Sequence, residues 1–303
     1  SGDVGAYMEA SGEPGDLDTK GTTGRTMAAG FVQYDLWPMA HIKLSVGGRL
    51  DWLNDTFDPE QPAEAEEQDA THTAFSPKVG ANVRYVQSAR NVGNVYGNVS
   101  RVFKAPTLDQ LFDQRRIPVP FPPFTVSISN DLLVPQTGTS IEAGLYHRAE
   151  LTPALAGELS LAVYQIDMKD ELDFDVEQFK TVNIGESRHQ GIESGLKLYV
   201  HNRATVFANY TLQDVRFSKG ENEGNQLKAI PKDFISAGVT ASHRVGFSGA
   251  LTVNSARRIW LDDANTLRLP AYTRVDARAS HPLAGMRLFL DVRNVLDATY
   301  SST

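Results

Sequence analysis

SRVFKAPTLDQLF, residues Ser100–Phe112, decides how the rest of the chain is read. Ser100-Arg101-Val102-Phe103 has the composition of a strand, and Pro106 ends it: proline offers no backbone donor and pushes the residue before it out of the helical region. The chain therefore leaves a sheet at Lys104-Ala105-Pro106 and enters a long connection that reaches Thr139. Taken alone, a strand running into proline is how any surface loop begins. What surrounds it is informative.

Strict alternation recurs on both sides. Met286, Leu288, Leu290 and Val292 share one face of a strand, while Arg287, Phe289, Asp291 and Arg293 share the other. Leu44, Val46, Gly48, Leu50 and Trp52 oppose Lys43, Ser45, Gly47, Arg49 and Asp51; Val275, Ala277 and Ala279 oppose Arg274, Asp276 and Arg278; Leu196, Leu198 and Val200 oppose Lys197 and Tyr199. One face is apolar and the other charged. A half-exposed soluble sheet gives this pattern, and so does a transmembrane barrel with lipid outside and a polar lumen.

The connections alternate in length. Short turns fall near Pro38–His41, Ala89–Gly93, Thr152–Leu155, His201–Ala204, His243–Val245 and Pro282–Gly285. Long ones fall at Asn54–Ala74, Lys104–Thr139, Lys219–Pro231 and Leu261–Leu269, with the tip Asp173–Lys180 on the same side. Tight turns at one end and extended loops at the other are expected of an outer-membrane barrel. About thirteen strands result, an odd count where a closed bacterial barrel expects an even one.

Composition narrows the partners. The chain of 303 residues carries a formal charge of -8, which argues against nucleic acid, whose phosphates demand a basic surface. Mean hydropathy is -0.30 and no apolar run approaches the ~18 residues of a membrane helix, a test to which barrel strands are blind. With no cysteine there are no disulfides and no thiolate metal sites, as suits a protein exported through the periplasm. No GxSxG, HExxH, P-loop or GxGxxG sequence occurs, so no enzyme and no cofactor is implied; a Ser-His-acid site assembled across strands would leave no local motif. SGDVGAYMEA at the start is not a signal peptide.

Seven stretches together resemble the barrel of TonB-dependent outer-membrane receptors, and they occur in that family's order. They are GGRLD (Gly47–Asp51), SPKVGANV (Ser76–Val83), the opening SRVFKAPTLDQLF, Leu132–Gly144 with Pro135 and Glu142, NIGESRHQGIESGL (Asn183–Leu196), Ile230-Pro231-Lys232, and NVLDATY (Asn294–Tyr300). Gln136 stands where relatives often have Glu, and Val295 where Leu is common. The resemblance implies an all-β antiparallel transmembrane barrel, here roughly 12–14 strands of a larger barrel of about 22. It implies that residues 1–303 are the C-terminal portion of that barrel, without the plug domain and final strand. The implied function is active import of a scarce nutrient, a ferric siderophore or related iron complex, across the outer membrane of a Gram-negative bacterium. Implied partners are membrane lipid, the plug and remaining strands, a TonB-type energy-coupling protein acting through the plug, and the small-molecule ligand. A passive porin-like channel, an outer-membrane binding protein and a soluble β-sandwich binding module are the alternatives.

Within that frame the connection after Lys104 is the expected ligand contact. Arg115-Arg116 precedes IPVPFPPFTV, where prolines stiffen a segment bearing Phe121 and Phe124. A cation pair beside rigid aromatics suits an anionic, partly aromatic iron complex. Asp173, Asp175 and Glu177 are a candidate metal site, sharing a face if the strand continues that far; a solvated acidic strand end is the plainer reading. Glu64, Glu66, Glu67 and Asp69 near His72 are read as a solvated loop. Ser187, Arg188, Gly191 and Glu193 are read as structural, with Gly191 allowing a bend.

Overall fold

A computed structural model describes residues 2–10, 13–61, 67–113, 116–120, 123–175 and 177–300. The first five strands, β1 (Gly2–Ala10), β2 (Glu13–Met39), β3 (Ile42–Gln61), β4 (Gln68–Gln87) and β5 (Asn91–Lys104), form an antiparallel meander. The connection after Lys104 holds a short helix, α1 (Leu108–Phe112), and a hairpin of β6 (Arg116–Pro120) with β7 (Pro123–Ser127). The meander resumes with β8 (Gln136–Thr152), β9 (Leu155–Asp175), β10 (Lys180–Val200), β11 (Ala204–Lys219), β12 (Asp233–Ser242) and β13 (Ser248–Arg257). β14 (Ile259–Trp260) and β15 (Arg268–Leu269) pair within the next connection, and β16 (Tyr272–Leu283) and β17 (Met286–Val292) finish the sheet. The result is a 13-stranded sheet in which each strand pairs with its neighbours in sequence once the two small hairpins are set aside. Its outer strands are β1 and β17, so the sheet is an open barrel wall.

Register gives the two faces their chemistry. Val95, Leu145 and Leu161 lie opposite one another on β5, β8 and β9, and Val83 continues the row onto β4. Leu44, Val79, Val99, Ile141, Ile192, Leu251 and Leu290 are large and exposed, and the register puts them on the same face. That face is the lipid-facing one. The other carries ion pairs across and along strands: Lys43–Asp35 at 2.9 Å, Arg49–Asp51 at 2.7 Å, Arg148–Glu158 at 3.1 Å, Arg274–Asp276 and Arg278–Asp291 at 2.9 Å. A lipid face admits no such charges, whereas a water-lined lumen does. Among the described residues no helix is long and apolar enough to cross a membrane, which has no bearing on strands.

Aromatics fill the lumen wall where it lacks side chains. A methyl carbon added to Gly144 would stand 2.6 Å from the Tyr96 ring, and one on Gly191 would stand 2.7 Å from the Tyr164 hydroxyl. Gly191 therefore does not bend β10. It pairs without a register shift to Tyr164 and Gln213 and leaves space for the tyrosine to lie down.

Two expected loops are shorter than alternation near the turns suggested. The Asn54–Ala74 connection is mostly ladder, paired as far as Phe57 opposite Gln68, because Leu53, Asp55 and Phe57 go on alternating into a buried face. Likewise β8 starts at Gln136, directly opposite Lys104.

Candidate functional site at the long-loop end

The turn at Pro106 folds the chain inward, over the lumen face of β2 and β3. Thr107 opens α1 with a capping box: its hydroxyl accepts from the Gln110 amide at 3.3 Å while the Gln110 side-chain oxygen accepts from the Thr107 amide at 2.9 Å. This satisfies two end donors of a helix too short to be stable by itself. Leu111, Phe112, Leu133 and Phe57 then close a small core, with the Phe57 and Phe112 rings stacked at 5.6 Å. Beneath it Arg25 donates to both oxygens of fully buried Asp55, at 2.5 and 2.7 Å, and to the Pro106 carbonyl at 2.6 Å. One guanidinium thus ties the wall to the turn.

The returning limb is fastened to a different part of the wall. The Asn130 side chain donates to the Thr181 carbonyl at 2.9 Å, and its amide donates to the Gln110 carbonyl at 3.0 Å. Asn183 accepts from the Val134 amide and donates to the Val134 carbonyl, both at 2.9 Å. Gln136 accepts from the Leu172 amide at 3.0 Å. Residues 106–113 and 130–136 consequently brace β2 and β3 against the β9–β10 hairpin, with the β6–β7 arm between these two limbs.

Beside it lies a polar cluster that no sequence motif announced. Ser187 hydrogen-bonds Glu171, and the His189 Nε2 lies 3.0 Å from the Ser187 hydroxyl and 3.2 Å from the Glu171 carboxylate. Ser, His and acid do meet across strands, but not as a catalytic relay. A relay sets the hydroxyl on one ring nitrogen and the carboxylate on the other, whereas here both crowd Nε2 and the serine contacts the acid directly.

Three further connections are clasped by Lys228. Its ammonium donates to Asp173 at 2.5 Å, to Asp263 at 2.8 Å and to the Phe174 carbonyl at 3.0 Å. Burial by itself would lower the Lys228 pKa, but the hydrogen bonds it donates to Asp173 and Asp263 outweigh it and hold the ammonium above its ordinary value. The loops on either side are knit as well: the Trp260 indole donates to Gln226 at 2.9 Å and the Asn225 side chain to the Asp263 carbonyl at 3.0 Å.

The residues singled out by sequence fall as follows. Arg115 and Phe121 lie outside the described residues, while Arg116 pairs with Ser127 and Phe124 with Val119 as backbone partners in the β6–β7 arm. Asp173 is turned to Lys228; Asp175 ends β9 and accepts from the amides of Glu177 and Gln178 at 2.7 and 3.0 Å; Glu177 sits in the turn. Among the described residues no group of three His, Asp or Glu side chains could hold a metal ion. Glu64 and Glu66 lie outside the described residues, and Asp69 accepts from Asn54 at 3.1 Å.

An antiparallel wall with lipid-compatible side chains outside, paired charges inside, short turns at one end and braced loops at the other defines a transmembrane β-barrel of the outer-membrane type. The family described as TonB dependent receptor-like, beta-barrel matches residues 3–295, and the chain belongs to it. The chain is 28% identical over 178 residues to the ferrioxamine receptor of Yersinia enterocolitica, covering 56% of this chain and 25% of that protein. It is 27% identical over 190 residues to the ferrichrome outer membrane transporter/phage receptor of Escherichia coli K12, covering 59% and 25%. The chain therefore spans about a quarter of the length of these relatives. Its fold is that of the siderophore receptor PiuA from Acinetobacter baumannii, with a TM-score of 0.70 at 18% identity over 93% of this chain and 40% of that one. The ferric yersiniabactin uptake receptor FyuA from Yersinia pestis gives 0.67 at 16% identity over 97% and 44%. Receptors of this family are Gram-negative outer-membrane proteins, and so is this chain.

Proposed function

We propose that the chain supplies barrel wall and ligand-gathering loops to a receptor that imports a ferric siderophore, driven by a TonB-type inner-membrane partner acting through a plug in the lumen. The observation that carries this reading is the bracing of the two limbs that flank the β6–β7 arm: the Arg25–Asp55–Pro106 tie and the Asn130 and Asn183 anchors fasten them to different parts of the wall. A rigid support for an arm bearing Arg115, Arg116, Phe121 and Phe124 favours capture, since little order is lost on binding. The names of its relatives, receptors for ferrioxamine and ferrichrome, support an iron complex as cargo. Glu142 and Glu193 lie on the lumen side, with Tyr96 hydrogen-bonded to Glu142, and present carboxylates to the lumen. The reading assigns transport and no catalysis.

Uptake of labelled iron by a deletion strain carrying the intact receptor, across a panel of siderophores, tests it. Uptake is expected for one class of iron complex and should stop when the inner-membrane energy source is removed, with binding retained. Energy-independent uptake would replace this reading with a passive channel. In the same receptor, Arg115→Ala with Arg116→Ala should weaken an anionic siderophore by about 1.5–3 kcal/mol per charge-assisted hydrogen bond lost. Unchanged affinity would leave the arm as a cover only.

A further inference from the structure

The six connections at the short-turn end, 40–41, 88–90, 153–154, 201–203, 243–247 and 284–285, hold three arginines, three histidines and no carboxylate. His41, Arg90, His201, Arg203, His243 and Arg244 are all exposed. The chain as a whole carries a formal charge of -8, so this rim runs against its composition. An outer-membrane barrel turns its short connections to the periplasm.

The cations here are sorted by direction. In the strand stretches that lead into these turns, Lys43, Arg84, Arg148, Lys197, Arg278 and Arg287 all lie on the lumen face by register. Among the described residues, no Lys or Arg at this end lies on the lipid face. That face finishes in Leu36, Leu159 and Met286, and in Tyr85, whose hydroxyl hydrogen-bonds His147 at 2.7 Å. Membrane headgroups lie beside that neutral face, so the positive charge is aimed past them, into the periplasm. Three of the lumen-side cations have carboxylates of their own: Lys43 meets Asp35, Arg148 meets Glu158 and Arg278 meets Asp291. Among the described residues no carboxylate pairs with Arg90, Arg203 or Arg244. One further acid, Glu150, lies at this end, where its amide donates to the Arg90 carbonyl at 2.8 Å.

Spacing decides what such a rim can hold. Consecutive turns are two strands apart, so the basic ones extend over roughly 40 Å of wall from His41 to Arg244 at ~4.8 Å per strand. A small anion meets one turn only, and a single exposed ion contact is weak. A polymer with repeated carboxylates meets several turns at once, and the contacts reinforce one another.

We propose that the short-turn rim is a docking surface for peptidoglycan, the carboxylate-bearing polymer that lies beneath the outer membrane, with Arg90, Arg203 and Arg244 contacting its stem-peptide carboxylates. The guanidinium fork matches a carboxylate with two parallel hydrogen bonds. Arg203 also edges a cleft of about 420 Å³ lined by the hydroxyls of Thr205, Thr240 and Ser242, which donate to a carboxylate held there.

The test spins down the intact receptor, held in phosphatidylcholine nanodiscs, with purified peptidoglycan sacculi. Wild type is expected to co-sediment and to be released by raised salt. Converting the carboxylates of the sacculi to amides should lower the affinity about tenfold or more. Arg90→Gln with Arg203→Gln and Arg244→Gln should do the same in a receptor that keeps its heat-modifiable migration on gels. Equal binding of native and amidated sacculi by wild type overturns the proposal whether or not the triple variant folds. Undiminished binding by the folded triple variant overturns it too, as does the absence of co-sedimentation by wild type. If phosphatidylglycerol vesicles at matched charge strip the receptor from the sacculi, the rim is a lipid or general anion surface and the assignment to peptidoglycan fails.

Discussion

Asp55 has no exposed surface, and its charge is met by one guanidinium that also holds the Pro106 carbonyl. Removing one partner of such a pair strands the other, which costs far more than the pair contributes. Asp55→Ala is accordingly expected to destabilise the intact receptor by about 3–5 kcal/mol in unfolding titrations, with protease cleavage in 105–135 rising first. Equal cleavage rates in variant and wild type would show that the turn is held some other way. The lipid face gives an opposite case. Leu290 is exposed to lipid whereas neighbouring Asp291 pairs with Arg278 in the lumen. Leu290→Arg should cost about 2–4 kcal/mol near mid-bilayer, and Asp291→Asn much less; the reverse order in bilayer unfolding would mean the faces are exchanged.

At the level of elements, the loops around Lys228 should respond to pH in a defined direction. Because the folded pKa of Lys228 is raised above 10.5, its clasp is fully present below that value and is lost as pH climbs through the raised one. Amide exchange in 220–232 should therefore stay slow at pH 9 and accelerate in stronger alkali, and Lys228→Met should make it fast throughout. Asp262 works at the other end of the scale: hydrogen bonds from the Thr266 hydroxyl and the Leu267 amide hold its pKa below 3.8, so its loop is kept above that value and released only as pH falls through the lowered one. Exchange at residues 262–267 that rises already at pH 5 would contradict this. These clasps were not legible in the sequence, and the reason is physical. Alternation over Met286–Arg293 reports a face, a property of one strand, and the wall follows from it. Lys228 meets Asp173 and Asp263, and His189 meets Glu171, only after register and bulges across several strands are set. The capping box at Thr107–Gln110 lay in plain view inside the opening stretch, but read as a loop because Pro106 dominated it.

As a whole the described wall leaves β1 and β17 each with one unpaired edge, and unpaired backbone groups in hydrocarbon cost several kcal/mol each. Residues 1–303 expressed alone should not yield a heat-resistant, membrane-inserted monomer on semi-native gels; finding one would mean the edges close on each other. The strands differ greatly in height. β2 has 27 residues and β3 and β4 have 20 each, while β12 and β13 have 10 and β17 has 7. At ~3.3 Å per residue the tall side rises some tens of ångströms above the low one. Seen from the long-loop end, the rim of the described wall is therefore a slope, high along β2, β3 and β4 and low along β12, β13 and β17.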